Sequence, residues 1–258
     1  MLPAIFVSHG APTLALDASP AREFLKELGG KVPKPRAILA ISAHWETSSP
    51  SVNSVATNST IHDFYGFPEA LYRIEYPAPG SPALAERTRA LLAEAGFEAT
   101  TDRERGLDHG AWVPLMLMYP EADVPVVQLS IQTERGPEHQ LRIGQALAPL
   151  READVLVVGS GSMTHNLCTM ARGQVGAPEA PWARDFAEWI HGTLTAGRVG
   201  DLLDYRRLAP HGAFAHPTED HFLPLVAALG AGGEPPHAER LHASTTFGTL
   251  RMDAYAFS

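Results

Sequence analysis

The chain has 258 residues, 45% of them hydrophobic and 19% charged, with a formal net charge of −9. That length and balance suit a globular chain with a sizeable core, and an acidic excess without clustered Lys or Arg argues against nucleic acid or an anionic membrane surface as partner. A single cysteine, Cys168, excludes an intrachain disulfide framework or a thiolate metal cage; with no apolar stretch of about 18 residues and no basic leader, the chain reads as cytoplasmic, with no membrane partner.

In chain order, apolar runs of strand length occur at 4–8, 37–43, 124–131 and 155–159. Near-continuous apolar runs of this kind fit strands buried on both faces. Ser19-Pro20 and Ser81-Pro82 each provide an N-cap followed by proline at the first helical position, so helices are expected to start there. Gly29-Gly30 and Gly96 are expected to end them. Further helices are expected over 137–151, 182–195 and roughly 219–229, and residues 244–257 alternate enough for one or two closing strands. Strands alternating with helices predict an α/β fold: one domain over 1–258, with a central mixed, mostly parallel sheet flanked by helices. Its site is expected at the C-terminal ends of the strands.

The chain carries 12 histidines against 20 Lys plus Arg, and several fall where that rule puts ligands. The run at 4–8 delivers His9, the run at 37–43 delivers His44, and "VLVVGSGSMTHN" leads through a glycine turn to His165. "GLDHGAW" places His109 between an acid and a glycine, and "HPTEDHF" holds His216 and His221. Positions five apart on one regular helix point about 140° apart, so His216 and His221 could not both face one ion. His221, on the expected helix, is better placed than His216 in the loop before it. His139, His191, His211, His237 and His242 lie in helices or polar loops and carry no such signal.

Neutral imidazoles at strand ends are ready ligands for Zn²⁺ or Fe²⁺. Two or three of them leave positions open for substrate and for water or O₂, and further histidines nearby can act as general acid and base. HExxH, CxxC, GxSxG, GxGxxG and GxxxxGK[ST] are all missing.

"FVSHG", "AISAHW", "IHDFYGFP", "GLDHGAWVPL", "GSGSMTHNL" and "HPTEDHFLPL", in order from about residue 5 to 230, together resemble the class III extradiol ring-cleavage dioxygenases, LigB-like proteins of the DOPA-dioxygenase branch. The resemblance implies a catalytic domain holding one non-haem Fe(II) per chain, or Zn(II) as in some members, that opens a catechol beside its two hydroxyls with O₂. It implies His9 and His44 as metal ligands. His165 matches an active-site histidine, either proton donor or a fourth contact to the metal, and His109 matches a second acid–base histidine. Ring-cleavers of the class usually supply a glutamate as third ligand. His221 takes that place here, with His216, Glu219 and Asp220 as alternatives, and an all-histidine set carries no ligand charge, which favours Zn²⁺ somewhat more. The turn-rich "HDFYGFP" suits a loop over the substrate, with His62, Asp63 and Phe64 as substrate-binding residues. For a charged catechol such as DOPA, partners for carboxylate and amine would come from Arg73, Arg103, Arg105 and the Asp63 loop. A homodimer is compatible with the sequence.

Two other readings use the same residues. One is a Zn²⁺-dependent hydrolase with Glu219 as base. The other is a non-catalytic binding relative of the fold, which has little reason to keep several imidazoles converging in one pocket.

Overall fold

The apolar runs become the centre of one large sheet, in a computed structural model that describes all of residues 1–258. Its ten strands are β1 (Ala4–Ser8), β2 (Ala37–Glu46), β3 (Ser51–Asn53), β4 (Thr100–Asp102), β5 (Val126–Ile131), β6 (Val155–Gly161), β7 (Ala238–His242), β8 (Thr245–Thr246), β9 (Leu250–Arg251) and β10 (Ala254–Phe257). Eight form a sheet in the order β4-β3-β5-β2-β6-β1-β10-β7, and β8 pairs with β9 apart from it. The four central strands β5, β2, β6 and β1 run parallel. β10 joins β1 antiparallel and β3 joins β5 antiparallel, so the sheet is mixed.

Every residue of β1, β5 and β6 is buried. Alternate residues serve two cores: Phe6, Leu39, Val127 and Val157 face the helices Pro82–Glu94, Gly136–Leu147, Pro181–Thr195 and Leu223–Ala231. Ile5, Ile38, Val126 and Leu156 face Pro20–Lys31 and His109–Met118. Burial on both faces is why these strands read as unbroken apolar runs.

Ser19 and Ser81 cap their helices as expected, accepting from Arg22 N–H and Leu84 N–H. Several boundaries differ. The first helix does not stop at Gly29-Gly30 but runs to Lys31. Gly29 lies where that helix crosses Met118, and a Cβ there would sit 1.9 Å from the Met118 carbonyl oxygen, so this glycine serves close packing. The expected helix over 137–151 is Gly136–Leu147 followed by a 3-10 segment, Ala148–Ala153. The one expected from 219 begins only at Leu223, because Pro224 lacks an N–H and fits the first turn. Residues 244–257 form three short strands, and β3, β4 and β7 had no clear apolar signal.

The chain passes from β1 to β2 across the place later filled by β6. The C-terminal ends of β2, β6 and β1 are therefore adjacent, and all open onto one edge.

Candidate metal centre and its histidines

β1 ends at Ser8, and Gly10 takes a left-handed φ of 63°, so the chain leaves the sheet just after His9. The His9 ring is oriented from β6. His9 Nδ1 lies 3.0 Å from Ser160 Oγ, and the Ser160 hydroxyl donates its one hydrogen to the Gly110 carbonyl. Ser160 must then accept from His9 Nδ1–H, which leaves a bare lone pair on His9 Nε2.

His44 lies inside β2 rather than beyond its end. The β2–β5 register shifts between Ile41 and Glu46, an irregularity of the kind that re-aims a side chain beside a site. His44 Nε2 is brought to 3.1 Å from His9 Nε2.

His221 enters from the turn before helix Leu223–Ala231. Its backbone carbonyl accepts from Ser162 N–H at 3.0 Å. Cβ atoms at Gly159 and Gly161 would lie 2.1 Å from the Pro224 carbonyl oxygen and 2.2 Å from that of His221. The glycines of "GSGSM" thus seat the His221 segment against the end of β6. Asp220 Oδ2 accepts from His221 Nδ1, turning Nε2 free. The His221 ring centroid is 5.2 Å from that of His9 and 4.9 Å from that of His44.

Two more imidazoles flank these three. His165 stacks flat on His221, centroids 3.3 Å apart and planes 11° from parallel. His109, first residue of its helix, lies 4.0 Å from His44 and 5.4 Å from His9, centroid to centroid. Asp63 accepts from the His109 backbone N–H and from Nδ1, both at 2.9 Å, and lies 3.5 Å from His44 Nδ1.

The donor set suits a transition metal. One ligand nitrogen from each of His9, His44 and His221 lies within 4.8 Å of the others. Two nitrogens bound to one ion at about 2.1 Å, about 90–110° apart, lie about 3.0–3.4 Å from each other, which the 3.1 Å between His9 and His44 matches. His44, Asp63 and His109, and His165, Asp220 and His221, form overlapping groups at the same spacing. Burial, then the neighbouring imidazoles, lowers His9 and His221 well below the usual histidine range, and burial first among causes takes His44 and His165 to about 4. At neutral pH these rings are uncharged and their lone pairs available. Burial pushes the Asp63 carboxyl up, but hydrogen bonding and charge from His109 outweigh it and hold it at about 2.

Other expected residues lie elsewhere. His216 is buried among Phe186, Tyr205 and Phe222, and its Nε2 donates to the Met163 carbonyl at 2.9 Å. Glu219 belongs to none of the clustered groups; its carboxylate is turned toward Gly136. His62 Nε2 lies 3.1 Å from the Ile74 carbonyl and so fastens its own loop. Phe64 packs with Phe67, Tyr72 and Trp112, its ring edge-on to His109 at 5.7 Å. Arg73 pairs with Glu69 at the surface.

Arg105 is engaged inward. It stacks over Trp45, donates to the His44 carbonyl at 3.3 Å and pairs with Asp108 at 3.0 Å. Asp108, fully buried, also accepts from Ser42 and Gln128 and caps the helix that begins at His109. Nothing in the sequence marks Ser160, and only its place before His109 marks Asp108.

A family model described as the catalytic LigB subunit of aromatic ring-opening dioxygenase matches residues 3–257. The chain is 50% identical over 257 residues to the 4,5-DOPA dioxygenase extradiol of Beta vulgaris, covering 98% of this chain and 95% of that protein. It is 42% identical over 243 residues to the 4,5-DOPA dioxygenase extradiol of Escherichia coli K12, covering 91% and 87%. A crystal structure of an uncharacterized protein from Escherichia coli K12 matches with a TM-score of 0.82 at 34% identity, covering 99% of each chain.

Proposed function

Because the chain belongs to the LigB family of metal-dependent, class III extradiol ring-opening dioxygenases, we propose that residues 1–258 form one catalytic domain acting on a small catechol of the DOPA type, with one metal ion held by His9, His44 and His221. The observation that carries the ligand assignment is the convergence of three neutral imidazoles, two buried and His44 half-buried, with His9 and His44 at 3.1 Å, Nε2 to Nε2. A neutral histidine set accepts either Fe(II) or Zn(II). Fe(II) is the better match to a reaction with O₂, since Zn²⁺ has no redox chemistry.

When bound, such an ion supplies Lewis acidity toward the diol and a meeting point for diol and dioxygen. The remaining steps belong to the chain. His109, beside His44 and His9, receives at Nε2 the proton leaving a catechol hydroxyl. His165, stacked on His221 and uncharged at neutral pH, relays to the opening ring the proton that the catechol gave up to His109. Phe64 and the 61–68 loop cover the His109 side and keep water from the diol. The ring opens beside the two hydroxyls, and both atoms of O₂ enter an open-chain semialdehyde acid.

The test is formation of a yellow product from catechols by protein reconstituted anaerobically with Fe(II). Product is expected in air and not under argon. Product under argon would instead favour the Zn²⁺ hydrolase, whose proposed base, Glu219, belongs to none of the clustered histidine groups.

A further inference from the structure

The turn-rich loop 62–68 is expected to lie over the substrate, and its Asp63 carboxylate faces inward onto His109. We propose that Asp63 is a positioning residue that fixes the proton of His109 on Nδ1 and leaves Nε2 bare toward the catechol. The proposal rests on the reading of His109 as the group that takes the substrate proton.

Three contacts carry it. Asp63 Oδ1 accepts the His109 backbone N–H at 2.9 Å, and Oδ2 accepts from His109 Nδ1 at 2.9 Å. One carboxylate therefore holds both the main chain and the ring of the same residue. Oδ2 is also 3.5 Å from His44 Nδ1, so the same group sits against a proposed ligand. A carboxylate can only accept, so His109 Nδ1 carries the hydrogen. The bond to the backbone N–H satisfies one of the free donors at the start of helix His109–Met118, where negative charge is favoured.

The loop is fastened well enough to keep Asp63 in place. Ile61 N–H donates to the Leu107 carbonyl at 2.8 Å, and Trp112 Nε1 donates to the Ile61 carbonyl at 3.0 Å. His62 Nε2 contacts the Ile74 carbonyl at 3.1 Å. Trp112 and His109 share one helix, so Asp63 is tied to the element it orients.

In the proton step, the catechol O–H bond breaks and its electron pair stays on the catechol oxygen. A new N–H bond forms at His109 Nε2. The resulting imidazolium keeps its Nδ1–H on Asp63, whose charge balances it, as in other carboxylate–histidine pairs. With the proton on Nε2 instead, that nitrogen could not accept from the catechol, and the Nδ1 lone pair would face the Asp63 carboxylate.

The experiment compares Asp63→Asn, His109→Gln and the double variant in metal-loaded enzyme. Asp63→Asn should keep one metal per chain and a catechol KM within about twofold, while kcat falls on the order of 10²–10⁴-fold. In the His109→Gln background it should cost nothing further, because the two residues act as a unit. Additive losses, or a change confined to KM, would overturn the proposal and make Asp63 a substrate contact.

A second readout does not depend on turnover. In the full chain loaded with Zn(II) and ¹⁵N-labelled at histidine, nitrogen shifts should place the His109 proton on Nδ1, and Asp63→Asn should move it to Nε2. A wild-type His109 protonated on Nε2 overturns the proposal. An unchanged kcat in His109→Gln would sink the reading of His109 as base, while the nitrogen shifts would still decide the hold of Asp63 on its tautomer.

Discussion

His9 Nε2 and His44 Nε2 lie 3.1 Å apart although 35 residues separate them in the chain. Ser160 leaves His9 Nε2 a bare acceptor, and a cation between the two nitrogens lets His44 Nε2 be one as well. Ser160 orients His9, and Asp220 does the same for His221. Such outer partners hold a ligand's tautomer and ring direction.

Removing any ligand should therefore remove the ion. His9→Ala, His44→Ala and His221→Ala are expected to purify with well under one metal per chain, and His165→Ala with a full complement. In His165→Ala, kcat should fall on the order of 10²–10⁴-fold, the usual size of a lost proton-transfer group. Metal analysis beside steady-state kinetics separates the two classes. Metal loss in His165→Ala would make it a ligand.

Asp220→Asn should weaken metal binding on the order of 10–100-fold without abolishing it. The Asn side chain keeps the shape but no longer obliges His221 to present Nε2. Competition with a chelator measures the change, and unaltered affinity would mean that Asp220 only solvates the turn.

Gly161→Ala should displace the His221 segment, because its Cβ would meet the His221 carbonyl oxygen at 2.2 Å and backbone cannot swing aside. A loss of about 1–3 kcal/mol in stability is expected from such overpacking, with lower metal content. Urea unfolding and metal analysis read both, and a stable variant with full metal would show that the seat is looser than drawn.

His216 supplies an acid-stability prediction just outside the cluster, with His165 and Asp220 near enough to act on its charge. Burial lowers it to about 3, against a partial rise from the Met163 carbonyl. Being neutral in the fold, it contributes stability that is complete above the unfolded value near 6.5 and is lost as pH falls toward 3. The loss is about 1.4 kcal/mol per pH unit, so about 2 kcal/mol between pH 6.5 and 5. His216→Gln removes the titration but keeps a donor for Met163. Its stability deficit at pH 7 should shrink by about that amount at pH 5 in urea titrations of metal-free protein. A constant deficit would show that His216 is not neutral in the fold.

The sequence exposed what period and position can carry. Runs buried on both faces, with His9, His44 and His165 at or near one end of each, predicted both the parallel core and its edge. Partners that act through a single hydrogen bond leave no such trace. Ser160 hides inside an apolar run, and Asp108 acts on Ser42, Arg105 and Gln128 from distant parts of the chain. Gly159 and Gly161 looked like a loop composition, and only the position of Pro224 and His221 above them explains the missing side chains. The preference for His221 over His216 rests on a helix expected from about 219, which begins too early, and its preference over Glu219 rests on the family resemblance. The Leu223 start leaves His221 in a turn, yet its ring still reaches the cluster.

The most direct test is metal content against oxygen uptake in one preparation, reconstituted anaerobically with graded Fe(II) and offered a panel of catechols. The predicted result is saturation at one ion per chain, with uptake of one O₂ per catechol rising in proportion to occupancy. A protein that retains no metal under any reconstitution would contradict the assignment of His9, His44 and His221.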